Sequence, residues 1–578
     1  MATGPKLDAA RRSTASRLVL IFCVTLALAT CSLAQQSTRD GDRLKAAQAA
    51  LDSQHWQEAA TLSAGPSDQS AEFDLIQGLA LAHLQNWDEA RQALERGGNK
   101  LPKDPRFPVE LAGVAYKQKD YALAKKNLRR AIELNSSDTY PKEFLGTLYF
   151  LDGNIEAALK YWNPIGKPQL ARVSLTPGPQ LVPALVNRIV QFNAPQVLTT
   201  DALLGTNTRL DNLEIFSRPR LELAPTSTGN YEATIHAAER TGWIESPIEN
   251  AVSLLSGLPY ATVYPEFYNL GHRAINFTSL VRWDSEKRRV YASLTSPIAD
   301  NPALRLRIFV DARNENWNLS KTYFGEALLT DLNVRRATGG IELKEVENGF
   351  WSWSAGLAFT NRSFRNLPNN PGVNSEPFFA NGNSLSVWLG AERSVVRVPE
   401  HRFNIDVNGE VRPGRNFAEG MGAFTTLRGS LTAHWLPQAK GDDYEMRAEI
   451  RGGAIIGKQT LDDLFQLGIE RDNDLWLHGH SGTIDGRKGA APLGRRYFLS
   501  NWEMDKNIYE GAFFVVKAGP FVDTGATADS SQLFGAQKWL WDTGVQCKIR
   551  ILGTLTVLLS YGRDLRGGKN TFYSSSLH

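Results

Sequence analysis

The chain has 578 residues, and at about 150 residues per domain this length predicts three or four domains, or fewer if one is a large barrel. Its 64 basic and 61 acidic residues give a formal net charge of +3, which excludes the strongly basic surface of a nucleic-acid-binding protein. Tryptophan (14) and glycine (48) are plentiful, whereas cysteine (3) and methionine (4) are scarce. This balance is typical of β-rich envelope proteins.

Residues 1–34 have the order of a secretory signal peptide, with basic residues first, an apolar run over residues 18–30 next, and small residues before a predicted cleavage after Ala34. The alternative is a membrane anchor, but the run is too short to cross a hydrocarbon layer of about 30 Å as a helix. After cleavage only Cys547 would remain, which excludes a disulfide framework. The mature protein is therefore expected to be exported and to lie in the periplasm, outside the cell, or in the outer membrane as a barrel.

Residues 42–166 show a helical repeat. Four similar tetrads recur, and their closing alanines are spaced 31, 34 and 33 residues apart. The tetrads begin at Trp56, Trp87, Tyr121 and Asn154. Gly78, Gly113 and Gly146 recur in step, where we expect the two helices of a repeat to approach closely. This period and pattern resemble the tetratricopeptide family, which implies a stacked helical solenoid that binds peptides or partner proteins.

Residues 167–241 predict a small α+β domain in the order strand, helix, helix, strand, strand, with Thr199 capping the second helix. The sequence 208–217, which leads through Phe216 into a strand, resembles the polypeptide-transport-associated (POTRA) domain. That resemblance implies a periplasmic module that binds passenger chains by strand addition. An unrelated two-layer α+β domain is the alternative, and residues 242–259 are read as a linker.

From residue 260 to residue 578 apolar and polar residues alternate, as in β-strands. One apolar set is Leu304, Leu306, Ile308, Val310 and Ala312, and the residues between them are largely charged. In an outer-membrane barrel the apolar side faces lipid and the polar side faces the lumen, whereas in a soluble sandwich the charged side faces solvent. The segment length, the aromatic residues near segment ends and the export signal favour a transmembrane antiparallel barrel of about 16 strands.

The last hundred residues resemble the bacterial surface-antigen superfamily of outer-membrane barrels, which includes β-barrel assembly proteins and two-partner secretion transporters. Four segments carry the resemblance. They are the loop motif Leu477-His478-Gly479-His480, the strand 493–503, the strand end 521–525, and the closing strands around 543–545, 556–565 and 571–573.

The resemblance implies that a loop arginine docks inside the barrel on lumenal carboxylates, here Glu503 and Asp523. In this sequence His478 stands in place of that arginine, so an equivalent contact would be shorter and would depend on protonation. Arg487, Arg495 or Arg496 could substitute for it, and two exposed loop histidines remain the alternative reading.

The sequence contains no metalloprotease, phosphate-loop or nucleophile-elbow motif, so we predict no enzyme, no catalytic residue, no metal and no cofactor. The acidic turn at Glu470, Asp472 and Asp474 is expected to be solvated rather than to bind calcium.

The resulting hypothesis is an outer-membrane protein that assembles or translocates polypeptides, with its N-terminal domains in the periplasm. Its expected partners are unfolded outer-membrane or secreted polypeptides, periplasmic proteins bound by the repeats, and outer-membrane lipid. Two alternatives are an exopolysaccharide-export porin with a tetratricopeptide scaffold and a soluble periplasmic scaffold.

Overall fold

A computed structural model describes most of the chain after residue 38. The described residues are 39–65, 70–240, 242–243, 254, 257, 260–320, 322, 329–367, 377–511, 513–529, 534, 538–551 and 555–577. The predicted signal peptide and most of the predicted linker lie outside them. Two compact units are present, Met1–Leu151 and Asp152–His578. Within the described residues, no helix combines the length and the apolar character needed to cross a membrane.

The first unit is built of helices joined by short turns. They are α1 (39–52), α2 (Trp56–Ser63), α3 (Ala71–His83), α4 (Trp87–Lys100), α5 (Arg106–Lys117), α6 (Tyr121–Leu134) and α7 (Tyr140–Leu151). The turns before α2, α4 and α6 have the same conformation, with Gln54, Gln85 and Lys119 at φ of 61°, 63° and 64°. The repeated tetrads therefore mark the start of every second helix.

The close helix approach expected at the repeated glycines is present at Gly78. A Cβ atom added there would lie 2.5 Å from Cγ of Leu94, so α3 and α4 can pack only because this side chain is absent. At Gly113 the expectation is wrong, because an added Cβ would meet nothing within 4 Å. The sequence period therefore does not imply equal packing in every repeat.

Leu94 is fully buried in the core of this unit. We expect Leu94→Ala to destabilise the unit by about 2–4 kcal/mol, because the lost methyl groups leave a cavity against Gly78. Hydrogen exchange of α3 and α4 in the full chain measures this loss as faster amide exchange. The exposed Leu101→Ala provides the control, and equal exchange in both variants would contradict the packing role of Leu94.

The second unit begins with the last helix of the predicted repeat region, α8 (Ile155–Trp162), so the boundary between the two units falls inside that region. A small domain follows, with β1 (Leu170–Thr176), α9 (Pro183–Ile189), α10 (Thr200–Leu213), β2 (Arg220–Pro225) and β3 (Tyr231–His236). Its sheet has the order β1-β3-β2, with β1 parallel and β2 antiparallel to β3. The hydroxyl of Thr199 accepts a hydrogen bond from Ala202 N, 3.2 Å away, which caps α10.

The small domain is fastened by hydrogen bonds to strand ends and a turn of the large sheet. Asn212 Nδ2 donates to the carbonyl of Pro302 (2.9 Å), and Asn276 Nδ2 donates to the carbonyl of Leu213 (2.9 Å). Arg188 donates to the carbonyl of Ala299 (2.8 Å). These contacts all lie where β6 and β8 begin and β7 ends, so the small domain covers that end of the strands.

The remaining strands of the unit are β4 (Thr262–Val263), β5 (Glu266–Leu270), β6 (Ile275–Trp283), β7 (Lys287–Ile298), β8 (Asn301–Trp317), β9 (Leu332–Asn348), β10 (Trp351–Arg365), β11 (Gly382–Val398), β12 (Phe403–Asn416), β13 (Ala423–Trp435), β14 (Tyr444–Gly457), β15 (Phe465–Gln466), β16 (Thr483–Ile484), β17 (Arg487–Lys488), β18 (Leu493–Gly494), β19 (Arg496–Glu510), β20 (Phe514–Ala528), β21 (Leu540–Ile551), β22 (Leu555–Asp564) and β23 (Asn570–Leu577).

All of these strands except β15 and β18 belong to one large, mainly antiparallel sheet, which has eighteen strands among the described residues. The prediction of about 16 differs for two local reasons. Both β4 and β5 pair with β6. In addition, β16 and β17, which have two residues each, pair as a short hairpin and are included in the count. The residues after the closing aromatic, 574–577, continue strand β23 rather than forming a tail.

One face of the sheet is apolar and exposed. Side chains directly opposite one another form a row across five neighbouring strands, and each is 41–47 % exposed. The row consists of Leu294, Ile308, Ile341, Leu357 and Val387. The opposite face carries buried charges, such as Asp523 and Asp542, both at 0 % exposure. A water-soluble sandwich would bury the apolar row and expose the charges, so this arrangement contradicts that alternative.

Helix α8 binds the end of β11 and the turn that follows it through charged side chains. Arg397 Nη2 donates to Glu156 (2.8 Å), and Lys160 Nζ lies 2.5 Å from a carboxylate oxygen of Glu400. Burial alone would raise the pKa of Glu400, but the hydrogen bonds from Lys160 and Tyr161 bring it below its usual value. These contacts hold the end of the repeat region on the sheet.

We expect Glu156→Ala and Arg397→Ala to be non-additive, with a coupling of about 1 kcal/mol, because the half-buried pair is bidentate. Urea unfolding of the two single variants and the double variant measures the coupling free energy. Strict additivity would show that the pair does not stabilise the contact between α8 and the turn.

Candidate functional site

The long connection between β14 and β19 lies against the polar face of the sheet. We call residues 458–495 the inner segment and the face that it contacts the inner face. Seven apolar side chains of the inner segment are buried together with apolar residues of the strands. They are Leu461, Leu464, Phe465, Leu467, Leu475, Leu477 and Leu493. The segment therefore shares a hydrophobic core with the strands and is fixed in place rather than solvated.

The motif that the sequence singled out lies at the centre of this segment. His478, 3 % exposed, places Nδ1 2.7 Å from Oδ2 of Asp523, and its backbone N donates to the same oxygen at 3.0 Å. Asn501 donates to the other oxygen of Asp523 at 2.7 Å. His478 and Asp523, two of the predicted site residues, are thus brought together.

The next two residues of the motif reach the neighbouring strands. Gly479 N donates to Oδ2 of Asp542 (2.6 Å), and His480 Nδ1 lies 3.0 Å from the same oxygen. His480 Nε2 lies 3.5 Å from Asp564. Glycine is required at 479, because an added Cβ would lie 2.6 Å from the backbone N of Asp564. Burial lowers the pKa of His480, but its hydrogen bond to Asp542 and the nearby carboxylates outweigh this and raise it.

The second predicted carboxylate has a different set of partners. Glu503 accepts hydrogen bonds from Lys548 (2.7 Å) and Gln546 (2.9 Å), both on β21, and among the described residues it forms no hydrogen bond with the inner segment. In the described part of the chain, the three candidate arginines do not bind Asp523 either. Arg487 pairs with Glu286 and Asp331, Arg495 pairs with Asp529, and Arg496 is exposed.

A second group of contacts, on the N-terminal strands, was not predicted. Asp472 is buried and lies 2.8 Å from Arg282, 2.6 Å from Arg289 and 3.3 Å from Lys488. Burial would raise the pKa of Asp472, but these cations hold it well below its usual range. The turn predicted to be solvated is therefore an ion-pair centre, and only Asp474, with its side chain 76 % exposed, fits the expectation.

A third group joins the start of the inner segment to the strands between these two groups. Asp463 lies 2.7 Å from Arg362 and 3.4 Å from Arg336, and Asp462 lies 3.3 Å from Arg336. The inner segment thus offers carboxylates to arginines of β6–β10 and offers histidines and backbone N–H groups to carboxylates of β20–β22. The inner segment therefore contacts both the first and the last strands of the sheet, so the sheet curves around it.

One site residue that was not predicted, Asp542, could have been found from the sequence. Asp542-Thr543-Gly544 repeats the Asp523-Thr524-Gly525 of the preceding strand, and the two aspartates are directly opposite in the register. The repeated tripeptide on adjacent strands could have identified Asp542. The partners of Asp472 have no such signal, because Arg282 lies 190 residues away in the chain.

No protein-family model and no curated protein matches this chain. Among solved structures, CdiB from Escherichia coli covers 71 % of this chain and 77 % of its own, at 12 % identity and a TM-score of 0.48. BamA from Haemophilus ducreyi lacking POTRA domains 1–3 covers 71 % of this chain and 84 % of its own, at 12 % identity and a TM-score of 0.40. CdiB from Acinetobacter baumannii covers 71 % and 73 %, at 12 % identity and a TM-score of 0.42.

Proposed function

We propose that the large sheet closes into an outer-membrane barrel that assembles or translocates polypeptides and that belongs to the bacterial surface-antigen superfamily. The observation that carries the proposal is the pairing of an exposed apolar outer face with a buried, charged inner face. Lipid is the solvent in which such an apolar face is stable. The strand order runs from β23 back to β4, and the Tyr260 hydroxyl donates to the carbonyl of Ser574 (2.8 Å), which supports closure.

In this proposal the inner segment lies in the lumen, fastened by His478 to Asp523 as the superfamily resemblance implies. The small domain is a POTRA-like module, which its strand–helix–helix–strand–strand order and mixed sheet support. The helical repeats form a tetratricopeptide array in the periplasm. The array and the module receive an unfolded passenger, and the barrel passes it into or across the membrane.

The first experiment fractionates the cells and tests whether the protein requires detergent for extraction and whether its electrophoretic mobility changes on heating. A barrel in the outer membrane gives both results. A protein extracted without detergent would contradict the proposal.

The second experiment depletes the protein and quantifies the outer-membrane and secreted proteomes. General loss of barrel proteins is the result expected of an assembly protein, and loss of one secreted protein is the result expected of dedicated transport. Unchanged proteomes with loss of surface polysaccharide would overturn the proposal in favour of an exopolysaccharide-export porin.

A further inference from the structure

Three carboxylates stand in a row on the inner face. Asp523 on β20, Asp542 on β21 and Asp564 on β22 are directly opposite one another in the register, and they are 0 %, 0 % and 7 % exposed. Like charges directly opposite on adjacent strands are destabilising, and burial increases the cost. The row therefore needs positive charge close by.

The positive charge that the described residues supply is small. None of the three carboxylates forms an ion pair with lysine or arginine in the described part of the chain, and their charged partners there are His478 and His480. In addition, Oδ1 of Asp542 is buried without a hydrogen-bond partner among the described residues. A buried carboxylate oxygen in that state is costly unless a further ligand contacts it.

We propose that His480, Asp542 and Asp564 bind one divalent cation of borderline softness, such as Zn²⁺. One imidazole nitrogen and two carboxylate oxygens of these residues lie within 4.8 Å of one another. Three protein ligands with a remaining position for water are typical of an open Zn²⁺ site, and an imidazole ligand selects against Ca²⁺ and Mg²⁺.

His480 lies close to both aspartates. Its Nε2 is 3.5 Å from Asp564 and its Nδ1 is 3.0 Å from Asp542 Oδ2, and both are separations that two ligands of one cation can have. The cation would join the inner segment to β21 and β22, and this binding does not depend on what passes through the barrel.

The test uses the full mature chain, purified in detergent and stripped with a chelator. Zn²⁺ binding is measured by titration calorimetry, and Co²⁺ replaces it as a spectroscopic probe of coordination. We expect one cation per chain, with affinity reduced roughly 100-fold in His480→Gln and in Asp564→Asn. His434→Gln is the matched control, because His434 lies 2.9 Å from one carboxylate, Glu445, whereas His480 lies beside two, and this variant should bind Zn²⁺ like the wild type.

A second measurement needs no variant. Zn²⁺ should protect His480, but not His434, of the wild-type protein from modification by diethylpyrocarbonate, as read by peptide mass spectrometry. Equal modification of His480 with and without Zn²⁺, or Zn²⁺ affinity unchanged in a folded His480→Gln protein, would overturn the proposal.

Discussion

Asp472→Asn is expected to destabilise the folded protein by about 3–5 kcal/mol, the cost of removing one partner from a buried ion-pair group. The substitution keeps the shape of the side chain and removes its charge. Arg282 and Lys488, whose side chains are 3 % and 6 % exposed, would then remain buried with less compensation. Urea unfolding in detergent measures the loss of free energy, and limited proteolysis reports whether the inner segment is released.

The matched control is Asp474→Asn, two residues away and exposed, for which a change within about 0.5 kcal/mol is expected. Comparable stability of the two variants would show that the cations around Asp472 are satisfied in another way. A large loss with intact protection of the inner segment would place the effect in the strands β6 and β7 instead.

His478→Ala is expected to cost about 2–3 kcal/mol, because it removes a hydrogen bond to a charged group and leaves the carboxylate of Asp523 fully buried. It also removes the ring contact to Phe521, whose centroid lies 4.4 Å from that of the imidazole. Asp523 keeps Asn501 and the backbone N of residue 478 as donors, which limits the loss. Thermal unfolding, monitored through the loss of the heat-modifiable electrophoretic band, measures this loss of stability.

The double variant His478→Ala/Asp523→Asn separates the pair from general packing. If the charge left behind causes the loss, the double variant is less destabilised than the sum of its single variants. Additive effects would mean that His478 acts through packing alone. His434→Ala, at the half-exposed His434–Glu445 pair, is the control and should cost under about 1 kcal/mol.

Local structure was largely predictable. The alternation from Leu304 to Arg313 lies within β8, and the predicted element order of the small domain is observed. Both rest on periodicities of the backbone, two residues for a strand and 3.6 for a helix, so neighbours in the sequence are enough to show them. Strand lengths were less predictable, since β8, β9 and β11 extend to 17 residues.

The candidate site was predictable only in part. The superfamily resemblance predicted Asp523 as a carboxylate that a loop residue contacts, and His478 of the loop motif does contact it. Glu503 has the same expected role but binds Lys548, because β21 places that lysine beside it. Gly113 shows the same limit in the helical unit, where a repeated small residue has no close neighbour.

The sequence by itself determined which side chains share a face of each strand, because covalent geometry sets that period, and its repeated tetrads marked the start of every second helix of the repeat region. Only the tertiary structure decided which charges meet, since curvature of the sheet brings Arg282 to Asp472 and strand register aligns Asp523, Asp542 and Asp564. Register and curvature are set by the packing of many strands together. The net charge of +3 therefore does not reveal that oppositely charged groups meet, buried, between the inner segment and one inner face.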